Sequence, residues 1–171
     1  MMLTTYRTIT GESGMSLAEI LVASVIIAIG LVGLLSAVPV ASYGIHEGRN
    51  LSTATFLANQ RLEQVRNAVW TASPANDCLG TSTSSAPTSG ACNGAAVTTF
   101  PDEASMAAPY SDYTRTVRIT DCSVGAGCGT VVSADLRQAT VTVSYTPMTG
   151  AGGVSTGSTK SAIVTMLVAK R

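Results

Sequence analysis

Residues 20–45 contain no Asp, Glu, Lys, Arg or His. The run reads ILVASVIIAIGLVGLLSAVPVASYGI. As a helix rising about 1.5 Å per residue it covers roughly 39 Å, more than the roughly 30 Å of a bilayer's hydrocarbon core. A helix apolar on every face needs either lipid or a thick protein wrapping. The rest of this 171-residue chain is too small and too rich in Ser, Thr and Gly to supply that wrapping. A cleaved secretory signal fits poorly as well, because its apolar region is shorter, about 7–15 residues, and ends in a small-residue cleavage site. This run is longer and leads into a helical pattern, so we read it as a membrane span.

Composition narrows what the remainder does. Ten Lys and Arg balance ten Asp and Glu, and charged residues are only 12% of the chain. A neutral, charge-poor chain does not grip nucleic acid by releasing counterions. Lys occurs only at Lys160 and Lys170, while Ser and Thr abound, which suits an extracytoplasmic surface. Arg7 and Arg49 flank the span on opposite sides, so basic residues hardly orient it. The cysteines orient it better. Cys78, Cys92, Cys122 and Cys128 all follow the run, and an even number of Cys in a small domain suits an oxidising compartment. The N-terminus is therefore expected in the cytoplasm and the domain outside the membrane.

Four cysteines allow three connectivities. The two local pairings, Cys78 with Cys92 and Cys122 with Cys128, are favoured. The first would staple a weak loop and the second closes a Gly-rich segment. No Cys-x-x-Cys occurs, and His46 is the one histidine, so no zinc site is expected. No phosphate-cradling Gly loop precedes a Lys-Ser/Thr pair, and no Gly-x-Ser-x-Gly element is read as carrying a nucleophile, since the one His precedes the folded domain. Asp102, Glu103 and Asp112 read as solvated loop carboxylates. Neither a catalytic residue nor a metal or cofactor site is expected, and the chain does not read as an enzyme.

One acid stands at the edge of the span. Glu19 lies in Met15-Ser16-Leu17-Ala18-Glu19-Ile20-Leu21-Val22. A charge at bilayer depth costs about 2.5–3.5 kcal/mol on insertion scales. A carboxylate at a helix N-terminus recovers only about 0.3–1 kcal/mol from the dipole. The string Gly14-Met15-Ser16-Leu17-Ala18-Glu19-Ile20-Leu21-Val22-Ala23 resembles the leader junction of type IV pilins and type II secretion pseudopilins. The resemblance implies cleavage by a prepilin peptidase between Gly14 and Met15, N-methylation of Met15, and an assembly role for Glu19 as the fifth mature residue. It further implies that the Glu19 carboxylate of an incoming subunit meets the Met15 ammonium of a neighbour and sets axial register. Met15 stands where the family more often has Phe, and Ala18 where Ile is commoner. Pro39 implies a helix kink a few residues later than in many major pilins, where Ser36 stands here. The leader holds one base, Arg7, and also Glu12.

Beyond the span, Leu51, Thr55, Ala58, Leu62, Val65 and Val69 recur at helical spacing, an amphipathic stripe fit to pack on a sheet. Gly44 and Gly48 are expected to loosen the join. The helix is expected from near Met15 to near Trp70, stopped by Ala72-Ser73-Pro74. Residues 80–99, GTSTSSAPTSGACNGAAVTT, read as an exposed loop. Three strands are then expected. One alternates around Val117 and Ile119, and one runs Ala139, Val141, Val143, Tyr145. The third spans residues 162–168 and, being more apolar, is expected at the centre. Thr149-Gly150-Ala151-Gly152-Gly153 is the turn before it.

The expected fold class is α+β. A long N-terminal helix, membrane-spanning first and amphipathic second, packs on a C-terminal antiparallel sheet in a pilin-like layout. The divisions are a leader at 1–14, a membrane or filament-core helix at 15–45, an amphipathic helix at 46–72 and a head domain at 73–171. Within the family, Ala58-Asn59-Gln60-Arg61-Leu62-Glu63-Gln64-Val65-Arg66 and Ile29-Gly30-Leu31-Val32-Gly33-Leu34 are similar to PilV-type minor pilins and I-type minor pseudopilins. The resemblance implies a minor pilin that helps initiate or cap a type IV pilus. A minor pseudopilin of type II secretion and a singly anchored extracytoplasmic binding protein are the alternatives. Implied partners are the major pilin, other minor pilins, the prepilin peptidase, the assembly platform and lipid of a bacterial inner membrane, with no nucleic acid.

Overall fold

The computed structural model describes residues 15–71, 76–123, 127–147 and 158–171. The leader with Gly14, the Ala72-Ser73-Pro74 stop and the turn at residues 149–153 lie outside the described residues. The chain divides into two compact units between Ala41 and Ser42.

Helix α1, Leu17–Asn67, contributes to both. It starts where Ser16 offers its oxygens to the first free N–H groups. The Glu19 N–H donates to the Ser16 carbonyl at 3.0 Å and faces its hydroxyl at 3.3 Å. Ser16 is thus the N-cap, and Glu19, three residues on, completes the Ser-x-x-Glu pattern of a capping box. The helix runs through Pro39, and neither Gly44 nor Gly48 interrupts it. In the first unit every residue across 15–41 is exposed, Ile26, Ile29 and Leu34 among them.

The second unit is the head. After α1 come β1 (Trp70–Thr71), β2 (Asn76–Asp77), β3 (Thr88–Cys92) and β4 (Ala95–Thr98), which form one sheet in that order. The second sheet has the order β5 (Tyr113–Asp121), β6 (Leu136–Tyr145), β7 (Lys160–Ala169). All neighbouring strands pair antiparallel. The fold is α+β, a long N-terminal helix whose second half packs on antiparallel strands.

Alternation builds the core. Val117, Ile119, Ala139, Val141 and Val143 are fully buried, while the intervening Thr116, Thr120, Thr140 and Thr142 are half-exposed. Register stacks them in rows such as Ile119–Ala139–Met166 and Val117–Val141–Val164. The helix presents Ala54, Leu57, Ala58, Leu62 and Val65 to the core. Leu51, Thr55 and Val69, expected in that stripe, are exposed instead. The contact face turns with the 3.6-residue period, so the strict 4-3-4-3 spacing drifts off it at both ends. The small Ala54 and Ala58 are wholly buried.

Three further expectations are corrected. The helix stops at Asn67 and not near Trp70, because Trp70 and Thr71 pair with Asp77 and Asn76 as a strand. Residues 80–99 are not simply an exposed loop. They contain β3 and β4, joined through Asn93 and Gly94, both at positive φ (51° and 80°). Asn-Gly suits the twist-matched two-residue hairpin turn. The apolar C-terminal strand is an edge and not the centre. Its apolar excess comes from Ile163 and Leu167, which face outward at 63% and 47% exposure. β6 takes the middle. The far edge of β5 is closed by bridges to Ser82 and Glu103.

Candidate functional site

Two regions carry chemistry, and each is built locally. The first is the start of α1. Met15 is 70% exposed, Glu19 is exposed, and one turn on Leu21, Val22, Val25 and Ile26 outline a shallow apolar depression of about 240 Å³. Spacings of three and four put these four on one stripe of the helix. Along the same segment a side chain at Gly30 or Gly33 would meet no neighbour within 4 Å. Such gaps let another helix approach closely. The helix is long and apolar enough to cross a membrane, by length and composition.

The second region is the polar interior of the head, held by three charged pins, two of them joining α1 to the strands and the third joining β2 to β6. The pin nearest the span joins Glu47 to the Lys160 ammonium at 2.8 Å and to the Tyr145 hydroxyl, which donates at 2.8 Å. The hydrogen bond from Lys160 holds the Glu47 carboxyl below the usual carboxylate range, and the same bond raises Lys160. Burial first, then the bond to Glu47, push the Tyr145 phenol up.

In the middle pin, Glu103 accepts from Arg61 at 2.7 Å and from Arg115 at 2.7 Å. Arg115 is buried, donates to the Leu57 carbonyl at 3.2 Å, and so ties β5 to α1 directly. Arg61 also lies over the Phe100 ring at 5.8 Å.

The far pin pairs Asp77 with Arg137 at 2.8 Å, and the Arg137 guanidinium covers the Trp70 ring at 4.4 Å. Burial alone would raise the Asp77 carboxyl. The N–H groups of Gly80 and Leu79 together with Arg137 outweigh it and hold the group low. A more exposed pair, Arg118 with Asp102 at 2.7 Å, lies on the outer side. Arg118 holds the Asp102 carboxyl low.

Reading Asp102, Glu103 and Asp112 as solvated loop acids therefore missed Glu103. The signal was present in strand parity. Arg115 shares the inward parity of Val117 and Ile119, and Arg137 that of Ala139 and Val141. A buried Arg needs an acid, and that acid had to come from the loops.

The disulfides are Cys78–Cys92 and Cys122–Cys128, the two local pairings. Cys78–Cys92 fastens β3 at its Asn93-Gly94 turn to the segment after β2, and the Asn93 N–H donates to the Asn76 side chain at 2.9 Å. Among the described residues no three His, Cys, Asp or Glu side chains gather as metal ligands would. The structure brings Met15, Ser16 and Glu19 together at the helix start and keeps Pro39 within the helix. Gly14 is outside the described residues. Comparison of the chain with models of known families, with curated proteins and with solved structures finds no match.

Proposed function

We propose that this chain is a minor pilin, cut after Gly14 by a prepilin peptidase, N-methylated at Met15, and assembled into a type IV pilus that it helps initiate or cap. The observation that carries the reading is Glu19, one carboxylate in the first turn of a helix exposed throughout residues 15–41. Such a helix is stable only among lipid tails or among other helices, since exposed apolar area costs about 25 cal/mol per Å² in water. In the membrane the N-terminal turn stays near the polar interface. In a bundle of such helices it is surrounded by apolar neighbours, where a lone carboxylate is costly. A new α-ammonium at Met15 of an adjacent subunit removes that cost by pairing, and methylation keeps its charge. Breaking such a buried pair by removing one partner costs about 3–5 kcal/mol, enough to reject subunits out of register.

The test exploits the N-cap geometry. Glu19→Gln keeps the Ser16 N-cap, because Ser16 accepts from the residue-19 backbone N–H whichever side chain stands there. It removes the charge. We expect Glu19→Gln and Glu19→Leu both to enter the membrane, to be cut, and to be depleted from sheared surface filaments about tenfold or more. Wild-type incorporation of Glu19→Gln would show that Glu19 only caps the helix, and the assembly reading would fall.

A further inference from the structure

We propose that the head binds the phosphate headgroup of an anionic phospholipid in a cavity lined by His46, Arg49, Asn50, Thr53, Tyr110 and Tyr113. This rests on reading residues 20–45 as the membrane span, and is independent of cleavage after Gly14. The cavity is an open depression of about 270 Å³, at which His46 and Arg49 are exposed. Its helix side is made by residues spaced i, i+3, i+4 and i+7, so one face of α1 supplies a cation, an imidazole, an amide and a hydroxyl together.

Arg49 and Arg171 are set apart from the other head arginines, and of these two Arg171 donates to the Arg66 carbonyl at 3.1 Å. Arg61, Arg66, Arg115, Arg118 and Arg137 each have a carboxylate within 4 Å. Arg49 makes no ion pair among the described residues, and neither does His46. The nearby acids are committed elsewhere. Glu47 is taken by Lys160 and Tyr145, and Glu103 by Arg61 and Arg115. Asp112 is exposed and does not line the cavity. An unpaired guanidinium beside amide and hydroxyl groups suits a phosphate oxyanion, which it can engage through two parallel N–H donors.

The opposite wall is aromatic and fixed. The Tyr113 hydroxyl donates to the Asn50 side-chain oxygen at 3.4 Å. That leaves the Asn50 NH₂ without a partner among the described residues. Tyr113 packs edge-on to Tyr110 with centroids 6.3 Å apart, and against Tyr145 at 5.8 Å. Amphipathic rings of this kind collect at the headgroup level of bilayers.

Position selects the lipid over a free phosphate. His46 is the first residue after the charge-free run, and Thr53 lies about 10 Å further along the helix. The run of roughly 39 Å exceeds the roughly 30 Å core, so the turn that begins at His46 falls at the outer rim of the headgroup layer. The head would thereby stay against the membrane surface until its subunit is drawn into a filament.

The experiment uses the full chain in phosphatidylcholine discs doped with phosphatidylglycerol, extracted into detergent and weighed intact. We expect one phosphatidylglycerol retained per wild-type chain and no phosphatidylcholine. Arg49→Ala should lower retention about tenfold, with His46→Ala lowering it less. Arg66→Ala, which removes one positive charge elsewhere on α1, should retain lipid as wild type does. Retention by Arg49→Ala equal to wild type, equal loss in Arg66→Ala, or equal retention of phosphatidylcholine would overturn the proposal. Inorganic phosphate that displaces the lipid at comparable concentration would name a soluble anion as the occupant and overturn it too. A chain that enters the discs yet holds no lipid refutes only this site. A chain that never enters them refutes the membrane reading as well.

Discussion

Single side chains decide whether the head holds together. Glu103 neutralises two guanidinium groups, of which Arg115 is 6% exposed. Glu103→Gln leaves that buried cation without its carboxylate, so we expect a loss of about 3 kcal/mol in unfolding free energy. Urea titration followed by the fluorescence of Trp70, the chain's one tryptophan, measures it. Replacing Arg115 by Met in the same chain should restore part of the loss, because the uncompensated charge is then gone.

The same titration run across pH tests the carboxylates. Glu47, Asp77, Asp102 and Asp121 all sit below their ordinary values in the folded head, held respectively by Lys160, by the Gly80 N–H and Arg137 against burial, by Arg118, and by the Ser123 N–H. The unfolded chain binds more protons than the folded one between those lowered values and about pH 4, so stability rises with pH there. It should be fully present above that range and vanish as pH falls. Lys160 and Tyr145 are raised, so their contribution is present below about pH 10 and is lost above it. A midpoint that is flat near neutrality and falls on both sides is the expected profile. A midpoint independent of pH below 4 would contradict the ion-pair account.

At the scale of elements, the weakest part of the head is the small first sheet, in which β1 and β2 have two residues each. Cys78–Cys92 bridges a separation of 14 residues and Cys122–Cys128 one of 6. Chain-entropy reasoning makes the longer loop's bridge worth about 3 kcal/mol and the shorter about 2 kcal/mol. We expect the double variant Cys78→Ser, Cys92→Ser to lower thermal stability more than Cys122→Ser, Cys128→Ser, as differential scanning calorimetry would record.

Elements also show what sequence carries. β5 and β6 were legible because one face is buried and the other wet, which writes itself as alternating Val and Thr. The long helix was legible from its uncharged run. The β3–β4 hairpin was hidden by Ser, Thr and Gly around it, although Asn93-Gly94 was the local sign of a tight turn. The position of β7 was misread because apolarity on a strand signals burial only when both faces are covered. Ile163 and Leu167 lie on the open face.

For the whole molecule, the two units pose different physical demands. The head holds itself together internally, through disulfides, charged pins and an alternating core. The first unit satisfies nothing on its own, because its apolar residues are exposed on every side. The sequence specifies a surface that must be covered by something else, and structure alone adds the N-cap at Ser16 and the open Gly30 and Gly33 positions. The pins joining α1 to the strands escaped the sequence because each pairs residues 42 to 113 positions apart or comes from loops whose path no periodicity reveals. Under the proposed function, assembly would tie these halves into one purpose, and it would turn on the amine that cleavage creates. Intact mass and N-terminal sequencing of the chain recovered from sheared surface filaments test this most directly. We expect a chain that begins at methylated Met15 and contains both disulfides. Recovery of the chain with Met1 to Gly14 still attached, from cells whose prepilin peptidase is active, would contradict it.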